Sequence, residues 1–298
     1  MNAINAAVTA IFDVALSAFE WAGVQFTLIA ISGIFGILAL IAFKHISYQR
    51  GIKATKDRIK AHLIEIRIYQ DDLGIVARAV GKVLLRNFQY LAYNFGPFVP
   101  LAFPFVFVLA QLVVRYAFRP IELTPAAELE ERAGPGGRRY TRLLGGAGTL
   151  VRVELAEGQF QKAAGLEIEL PAGLRAVSPL VRVPSLGLAF QEIVAVEDGL
   201  HEIGLVLADG TRATKQLAAG AVDVRWMQPE RVASPLVAML WPVEKTFSRA
   251  SGIRRVAFEY PENGLGWMPG GVLGVLIVFL VASMAFGFAL LKPLGIQI

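Results

Sequence analysis

The stretch "RGIKATKDRIKAHLIEIRIYQDDL", residues 50–73, is a basic segment that lies between two long apolar stretches. Its apolar residues recur at helical spacing: Ile52, Ile59, Leu63, Ile64, Ile66 and Ile68. A second stripe follows the breaker "DDLG": Val76, Val80, Val83, Leu84, Phe88 and Leu91. This pattern predicts two amphipathic helices joined by a short turn, each burying its stripe on the other.

The chain around this hairpin has the composition of a membrane protein. Of its 298 residues 55% are hydrophobic, and its mean hydropathy is +0.54, which is unusual for a soluble domain of this length. Three segments approach the ~20 apolar residues that a transmembrane helix needs: 24–43, 97–118 and 269–292. We therefore expect three transmembrane helices.

The distribution of charge predicts the orientation of these helices. Residues 44–96 contain ten Lys and Arg against four Asp and Glu, whereas residues 1–23 contain two acids and no base. The positive-inside rule then predicts that the hairpin at 44–96 is cytoplasmic. The N-terminus and residues 119–268 are predicted to be extracytoplasmic, and the tail at 293–298 cytoplasmic. The membrane is expected to be the bacterial cytoplasmic (inner) membrane.

Residues 1–23 lack the basic n-region of a secretory signal peptide, and the apolar span that follows is too long for an h-region. A helical stripe runs through them: Ile4, Val8, Ile11, Ala15 and Phe19. We expect an extracytoplasmic amphipathic helix lying at the membrane interface. A helix packed against the spans is an equal alternative.

The hairpin carries a candidate basic docking surface: Lys53, Lys56, Arg58, Lys60, Arg67, Arg78, Lys82 and Arg86. One interpretation is a solvated face that enforces topology and contacts anionic lipid headgroups, at about 1 kcal/mol per base. The other is a docking surface for a ribosome or a nascent membrane protein. The aromatic residues nearby are expected to pack rather than to stack on bases, so we predict no specific nucleic acid as a partner.

The period of the sequence changes to two after a linker, "AAELEERAGPGGRRYTR", residues 126–142. Six short alternating segments close on turn residues: 149–158, 165–173, 190–199, 201–210, 222–230 and 254–262. They predict an antiparallel β-sandwich of immunoglobulin type within 119–268. The predicted fold class is thus an α + β membrane protein, with three transmembrane helices, a cytoplasmic helical hairpin and an extracytoplasmic β-sandwich.

Chemical motifs are missing from the sequence. It has no cysteine, and its three histidines are far apart without a metal-binding spacing. Residues 119–268 carry 17 bases against 18 acids and no hydrolase or metalloprotease signature, and their glycine-rich "LLGGAGTLVRV" lacks the Lys-Ser/Thr of a P-loop. We therefore expect no cofactor, no metal and no enzymatic activity.

The stretch "NFGPFVPLAFPFVFVLAQL", residues 94–112, is punctuated by prolines. An N-out span, a basic hairpin and a proline-rich returning span together resemble the core of the YidC-type membrane insertases, the three-span organellar members above all. The matching positions are Asn94, Pro97, Pro100, Pro104 and Phe105. The resemblance covers about residues 20–118 and the last span, and it implies a protein that assists the insertion of other membrane proteins.

Each proline is expected to remove a helical hydrogen bond and to kink the second span, which lipid tolerates where other helices or a water-filled cavity satisfy the freed carbonyls. The candidate client groove comprises polar and proline residues of the first two spans: Pro97, Pro100, Pro104, Gln111, Arg115, Thr27 and Ser32. Close packing of the three helices is the alternative. We expect Gln111 to face another helix and Arg115 to extend toward the headgroups.

The sequence therefore favours an insertase-like or chaperone-like integral membrane protein. The alternative is a non-catalytic membrane scaffold or subunit, whose extracytoplasmic domain binds a partner protein.

Overall fold

The computed structural model describes residues 1–125 and 148–296. The linker predicted at 126–142 lies outside the described residues. The described residues form six α-helices: α1 Asn2–Ser17, α2 Val24–Ile46, α3 Gln49–Ile68, α4 Leu73–Phe95, α5 Phe98–Tyr116 and α6 Gly271–Leu291. The chain divides into two compact units, Met1–Gln25 with Phe107–Ile277, and Phe26–Val106 with Val278–Ile298.

Three stretches of helix in the described part of the chain are long and apolar enough to cross a membrane, which confirms three long apolar helices. They are Val24–Ile46, the region Leu73–Tyr116, which comprises α4 and α5, and Gly271–Leu291. At about 1.5 Å per residue, α2, α5 and α6 are about 34, 28 and 32 Å long, close to the ~30 Å of a hydrocarbon core.

The second unit holds α2 against α6 through small residues. A Cβ atom on Gly36 would meet the backbone of Ser283, and one on Gly33 would lie 2.8 Å from the Phe286 ring. Close backbone approach at small residues is how apolar helices pack without a hydrophobic driving force. A Cβ atom on Gly287 would lie 3.5 Å from the carbonyl oxygen of Gly36, so Ser283 and Gly287 of α6 both lie at the contact with α2. Leu40 and Phe43 pack with Ile296 at the end of this contact.

The first unit contains two antiparallel sheets, which confirms the antiparallel β content of the prediction. The strands are β1 Thr149–Leu155, β2 Glu167–Glu169, β3 Leu174–Ala176, β4 Val181–Val183, β5 Leu188–Ala195, β6 Gly199–Val206, β7 Arg212–Ala219, β8 Glu230–Val232 and β9 Ile253–Ala257. One sheet has the order β3-β5-β1-β9-β8, with β4 beside β5, and the other has the order β2-β6-β7. The "ADG" turn joins β6 to β7, with Gly210 at φ 79°.

One predicted strand is wrong: residues 222–229 form no strand, although "VDVRW" alternates. Their backbone groups have other partners, since Met227 N–H donates to the carbonyl of Val114 at 2.7 Å and the carbonyl of Gln228 accepts from the Lys215 ammonium. The neighbouring strand β7 was not predicted, because Lys215 interrupts the apolar pattern of "RATKQLAA".

Candidate functional site

The hairpin of α3 and α4 buries only part of its apolar surface. Ile52, Thr55 and Ala79 are buried where the two helices meet, and Ile59, Ile66 and Val83 are half-buried. The expectation that each helix buries its whole stripe on the other is wrong. Seven residues of the two predicted stripes are exposed instead: Leu63, Ile64, Ile68, Val80, Leu84, Phe88 and Leu91.

On α4 the exposed apolar residues form one face. Val80, Leu84, Phe88, Leu91 and Phe95 follow each other at spacings of three or four, so they line one side of the helix, and Leu85 widens it. Phe88 is 70% exposed. Ala79, Val83 and Tyr90 lie on the other side of α4, where it meets α3. A helix that is apolar on both sides needs a second cover in addition to its hairpin partner.

This face continues along the chain into α5. Only Gly96 and Pro97 separate α4 from α5, and Phe98, Val99 and Phe103 in the first turns of α5 are exposed as well. Eight exposed residues of α4 and α5 together are called the apolar track: Leu84, Leu85, Phe88, Leu91, Phe95, Phe98, Val99 and Phe103. It leads from the basic hairpin to a helix that is apolar enough to cross a membrane.

The predicted basic docking residues do not form one surface. Lys53, Lys56, Lys60 and Arg67 are spaced i, i+3, i+7 and i+14, which places them on one stripe of α3, and Arg58 is on the other side of that helix. On α4, Arg86 is half-buried and donates to Gln89 at 2.7 Å.

Arg78 and Lys82 of α4 act on an acid of the facing helix. The His62 ring, 2.9 Å from the Glu65 carboxylate, lowers the pKa of Glu65, and the charges of Lys82 and Arg78 lower it further. The basic stripe of α3 thus comprises four of the eight predicted residues, and the other four are distributed around the hairpin.

The three prolines differ in their effect on α5. Pro97 lies in the turn before the helix, and Pro100 lies in its first turn, where no intrahelical donor is required. Only Pro104 stands inside the helix, where it removes the bond to the carbonyl of Pro100. The expectation of three lost hydrogen bonds is therefore wrong.

The two polar groove candidates of α2 are both buried. Thr27 and Ser32 are almost inaccessible, and the Ser32 hydroxyl donates to the carbonyl of Leu28, one turn earlier, at 2.6 Å. Such a bond satisfies a hydroxyl within a single helix. Phe35, Phe105 and Phe279 form a ring cluster in the second unit, with centroids 5.0–6.2 Å apart.

The structure brings Gln111 and Arg115 together with α1. The Gln111 amide donates to the Thr9 hydroxyl at 2.9 Å, and the Arg115 guanidinium pairs with the Asp13 carboxylate at 2.5 Å and with the side-chain oxygen of Gln111. The Arg115 side chain is only 4% exposed. Gln111 faces another helix as expected. The expectation that Arg115 extends toward headgroups is wrong, because its guanidinium pairs with the Asp13 carboxylate of α1.

A second buried charge lies in the sheets and was missed by the sequence reasoning. The Lys215 ammonium is fully buried, pairs with the Glu244 carboxylate and donates to the carbonyl of Gln228 at 2.7 Å. It also stands 4.6 Å from the centre of the Phe258 ring. Burial lowers the pKa of Lys215, while Glu244 acts in the opposite direction.

Comparison of the chain with protein-family models, with curated proteins and with solved structures finds no match.

Proposed function

We propose that this chain is a multi-pass membrane protein that assists the insertion or assembly of other membrane proteins. The hairpin of α3 and α4 is placed on the cytoplasmic side, and residues 119–268 form an extracytoplasmic β-sandwich. The charge distribution of the sequence supports this orientation, and we assign the chain to a bacterial inner membrane.

The apolar track is the observation that carries this proposal. Large apolar side chains in water attract apolar partners, at roughly 25 cal/mol for each Å² removed from water. The track begins on a basic hairpin and ends on the first turns of α5, a helix that we place in the bilayer. An apolar segment that leaves the cytoplasm would therefore find apolar contacts along its whole route into the membrane.

The basic stripe on α3 supports the same function. Lys53, Lys60 and Arg67 are exposed and lie outside the contact with α4. Such a stripe attracts the anionic headgroups of the inner leaflet, which holds the hairpin near the membrane surface. The same charges favour association with ribosomal RNA through phosphate contacts, without base recognition.

Site-specific photo-crosslinking tests the proposal. Photo-reactive residues are placed at Leu84, Phe88 and Val99 of the track, and a matched probe at Ala61, an exposed position of α3 outside the track. In cells that translate a short membrane protein, the track probes are expected to crosslink to the nascent chain, and the crosslinks to disappear after release with puromycin.

Two results would overturn the proposal. One is crosslinking of the Ala61 probe with the same yield as the track probes, which means that contact with the nascent chain is not directed by the apolar surface. The other is capture of a single stable neighbour whatever is translated, which identifies the track as a subunit interface.

A scaffold function is the second candidate, and one edge of the sheets favours it. Strands β3 and β4 both pair with β5, and Val181 and Leu186 beside that edge are exposed. Exposed apolar residues at a sheet edge are typical of partner contacts. If V181E/L186E abolishes co-purification of a fixed partner while nascent-chain crosslinking at Phe88 is absent, the scaffold function replaces the insertase.

A further inference from the structure

Helix α1 has the reverse polarity of a helix on a water-soluble protein. Its polar residues Asn2, Asn5, Thr9 and Asp13 are spaced three or four apart and share one face, and Asn5 is only 2% exposed. The opposite face contains apolar residues alone: Ala3, Ile4, Ala7, Ala10, Ile11 and Val14. All six are exposed, Ile11 at 66% and Val14 at 74%.

Each of these four polar residues bonds to another part of the same unit. The Asn5 amide donates to the carbonyl of Ala238 at 2.8 Å, and the Asn2 side-chain oxygen accepts from Thr246 at 3.2 Å. Thr9 and Asp13 bind Gln111 and Arg115, as described above. The polar face is thus fixed to α5 and to the segment that contains Ala238, and the apolar face is directed outward.

In water this arrangement is unfavourable, because polar groups leave solvent while apolar side chains enter it. In hydrocarbon it is favourable, because every polar group there needs a partner within the protein and apolar side chains do not. The Asp13–Arg115 pair also cancels the two charges, which reduces the cost of placing them in a medium of low dielectric.

Exposed residues near α1 have the same character. Ala238, which accepts the bond from Asn5, is buried, but Leu236, Val237 and Leu240 around it are exposed. Trp21, in the turn after α1, and Trp267, in the segment before α6, are about four-fifths exposed, and indoles are enriched at membrane–water interfaces. The apolar surface therefore extends beyond the helix itself.

We propose that the outward face of α1 is embedded in the acyl chains of the bilayer. Leu236, Val237 and Leu240 enter the same leaflet as that face. Sixteen residues span about 24 Å along the helix axis, less than the hydrocarbon core, so α1 is a partial span or lies obliquely. This inference shares with the proposed function only the premise that the chain is a membrane protein.

Spin labels on single cysteines test the inference directly. The chain has no cysteine, so Ile11→Cys, Val14→Cys and Leu236→Cys each introduce a single labelling site. All three side chains are exposed, so a label disturbs no core packing. The labelled full-length protein is reconstituted into vesicles of phosphatidylcholine and phosphatidylglycerol.

Collisions with oxygen, which concentrates in hydrocarbon, are compared with collisions with a water-soluble nickel chelate. Val281→Cys on α6 is the reference for a membrane helix, and Leu186→Cys in the sheets is the reference for water. We expect the labels at Ile11, Val14 and Leu236 to have the high oxygen-to-nickel ratio of Val281, several-fold above that of Leu186.

Three results would overturn the inference, and each has a different meaning. A ratio equal to that of Leu186 places the face of α1 in water. Exclusion of both reagents means that protein covers it, either a second copy or another subunit. A water-like ratio at Val281 refutes the membrane premise and the proposed function with it, whereas failure at α1 alone leaves the proposed function intact.

Discussion

Removing Glu244 should destabilise the β-sheet domain strongly, because it leaves the Lys215 ammonium buried without a counter-charge. The Lys215 side chain is 0% exposed and that of Glu244 is 7% exposed. Breaking a buried ion pair on one side costs about 3–5 kcal/mol. For a domain of this size about 2–4 °C of Tm corresponds to each kcal/mol, so Glu244→Ala is expected to lower Tm by about 6–20 °C.

The loss of stability in this variant should depend on pH. Burial lowers the pKa of Lys215, and without Glu244 nothing equivalent raises it again. Between the folded pKa and the unfolded value of about 10.4, the unfolded state binds more protons than the folded state, so stability rises with pH. Glu244 keeps the folded pKa of Lys215 in the natural chain above that in the variant, so the deficit of Glu244→Ala should shrink as pH rises through the interval between these two folded pKa values.

Differential scanning fluorimetry of the full chain in detergent measures both effects. The matched control is Glu169→Ala, which removes the exposed pair with Arg212 at 3.4 Å and should change stability by less than about 1 kcal/mol. The double replacement Lys215→Met with Glu244→Leu should restore most of the lost Tm, because apolar residues replace both charges. If Glu244→Ala shifts Tm no more than Glu169→Ala, or its deficit does not change with pH, the reasoning is refuted.

Three further predictions concern other surfaces. Gly36→Ala should destabilise the contact of α2 with α6 when unfolding is measured in detergent. A Cβ atom on Gly81 would meet no neighbouring atom within 4 Å, so Gly81→Ala should stabilise α4 by up to about 1 kcal/mol. Equal effects of the two changes would contradict the packing argument. Partial burial raises the pKa of Glu154, but Arg255 at 2.6 Å and Arg152 at 2.8 Å outweigh burial and lower this pKa overall. The Glu154 carboxylate should therefore stabilise the fold above its unfolded pKa of about 4.3, and this stabilisation should be lost as pH falls through the lower folded pKa. Acid titrations of Tm for Glu154→Gln and the natural chain should converge at low pH, and parallel curves would exclude this assignment. Phe88→Glu should reduce nascent-chain crosslinking from the neighbouring track probes, while Lys60→Glu should mainly reduce binding to anionic vesicles; the reverse pattern would assign client contact to the basic stripe.

The helices could be predicted from sequence because their determinants are local. Apolar runs near 20 residues and stripes at a period of 3.6 give the position and type of each helix. The polar face of α1 is equally local: Asn2, Asn5, Thr9 and Asp13 are readable in sequence. The sequence reasoning considered the apolar stripe alone and left open whether that stripe faces the membrane or the other helices, and only the bonds of the polar face show which side contacts the protein.

The charged pairs could not be predicted in the same way. Asp13 and Arg115 are 102 residues apart, and Lys215 and Glu244 are 29 apart, so only the tertiary fold brings them together. Lys215 even misled the prediction of strand β7, because a buried lysine resembles a solvent-facing residue until its partner is known. The expected burial of the two hairpin stripes was wrong for a related reason, since periodicity identifies an apolar residue but not what covers it.

The segment that connects α5 to α6 begins and ends at adjacent positions in the first unit. Arg119 N–H donates to the carbonyl of Pro261 at 3.0 Å, and Asn263 N–H donates to the carbonyl of Ala117 at 2.9 Å, so the chain leaves and returns through one short antiparallel ladder. In topological terms the sheets are an insertion whose entry and exit are adjacent, as in domains that tolerate transplantation. A tight turn joined at this point would leave the course of α5 and α6 unchanged, and it would remove the bonds that Ala238 and Thr246 make to α1.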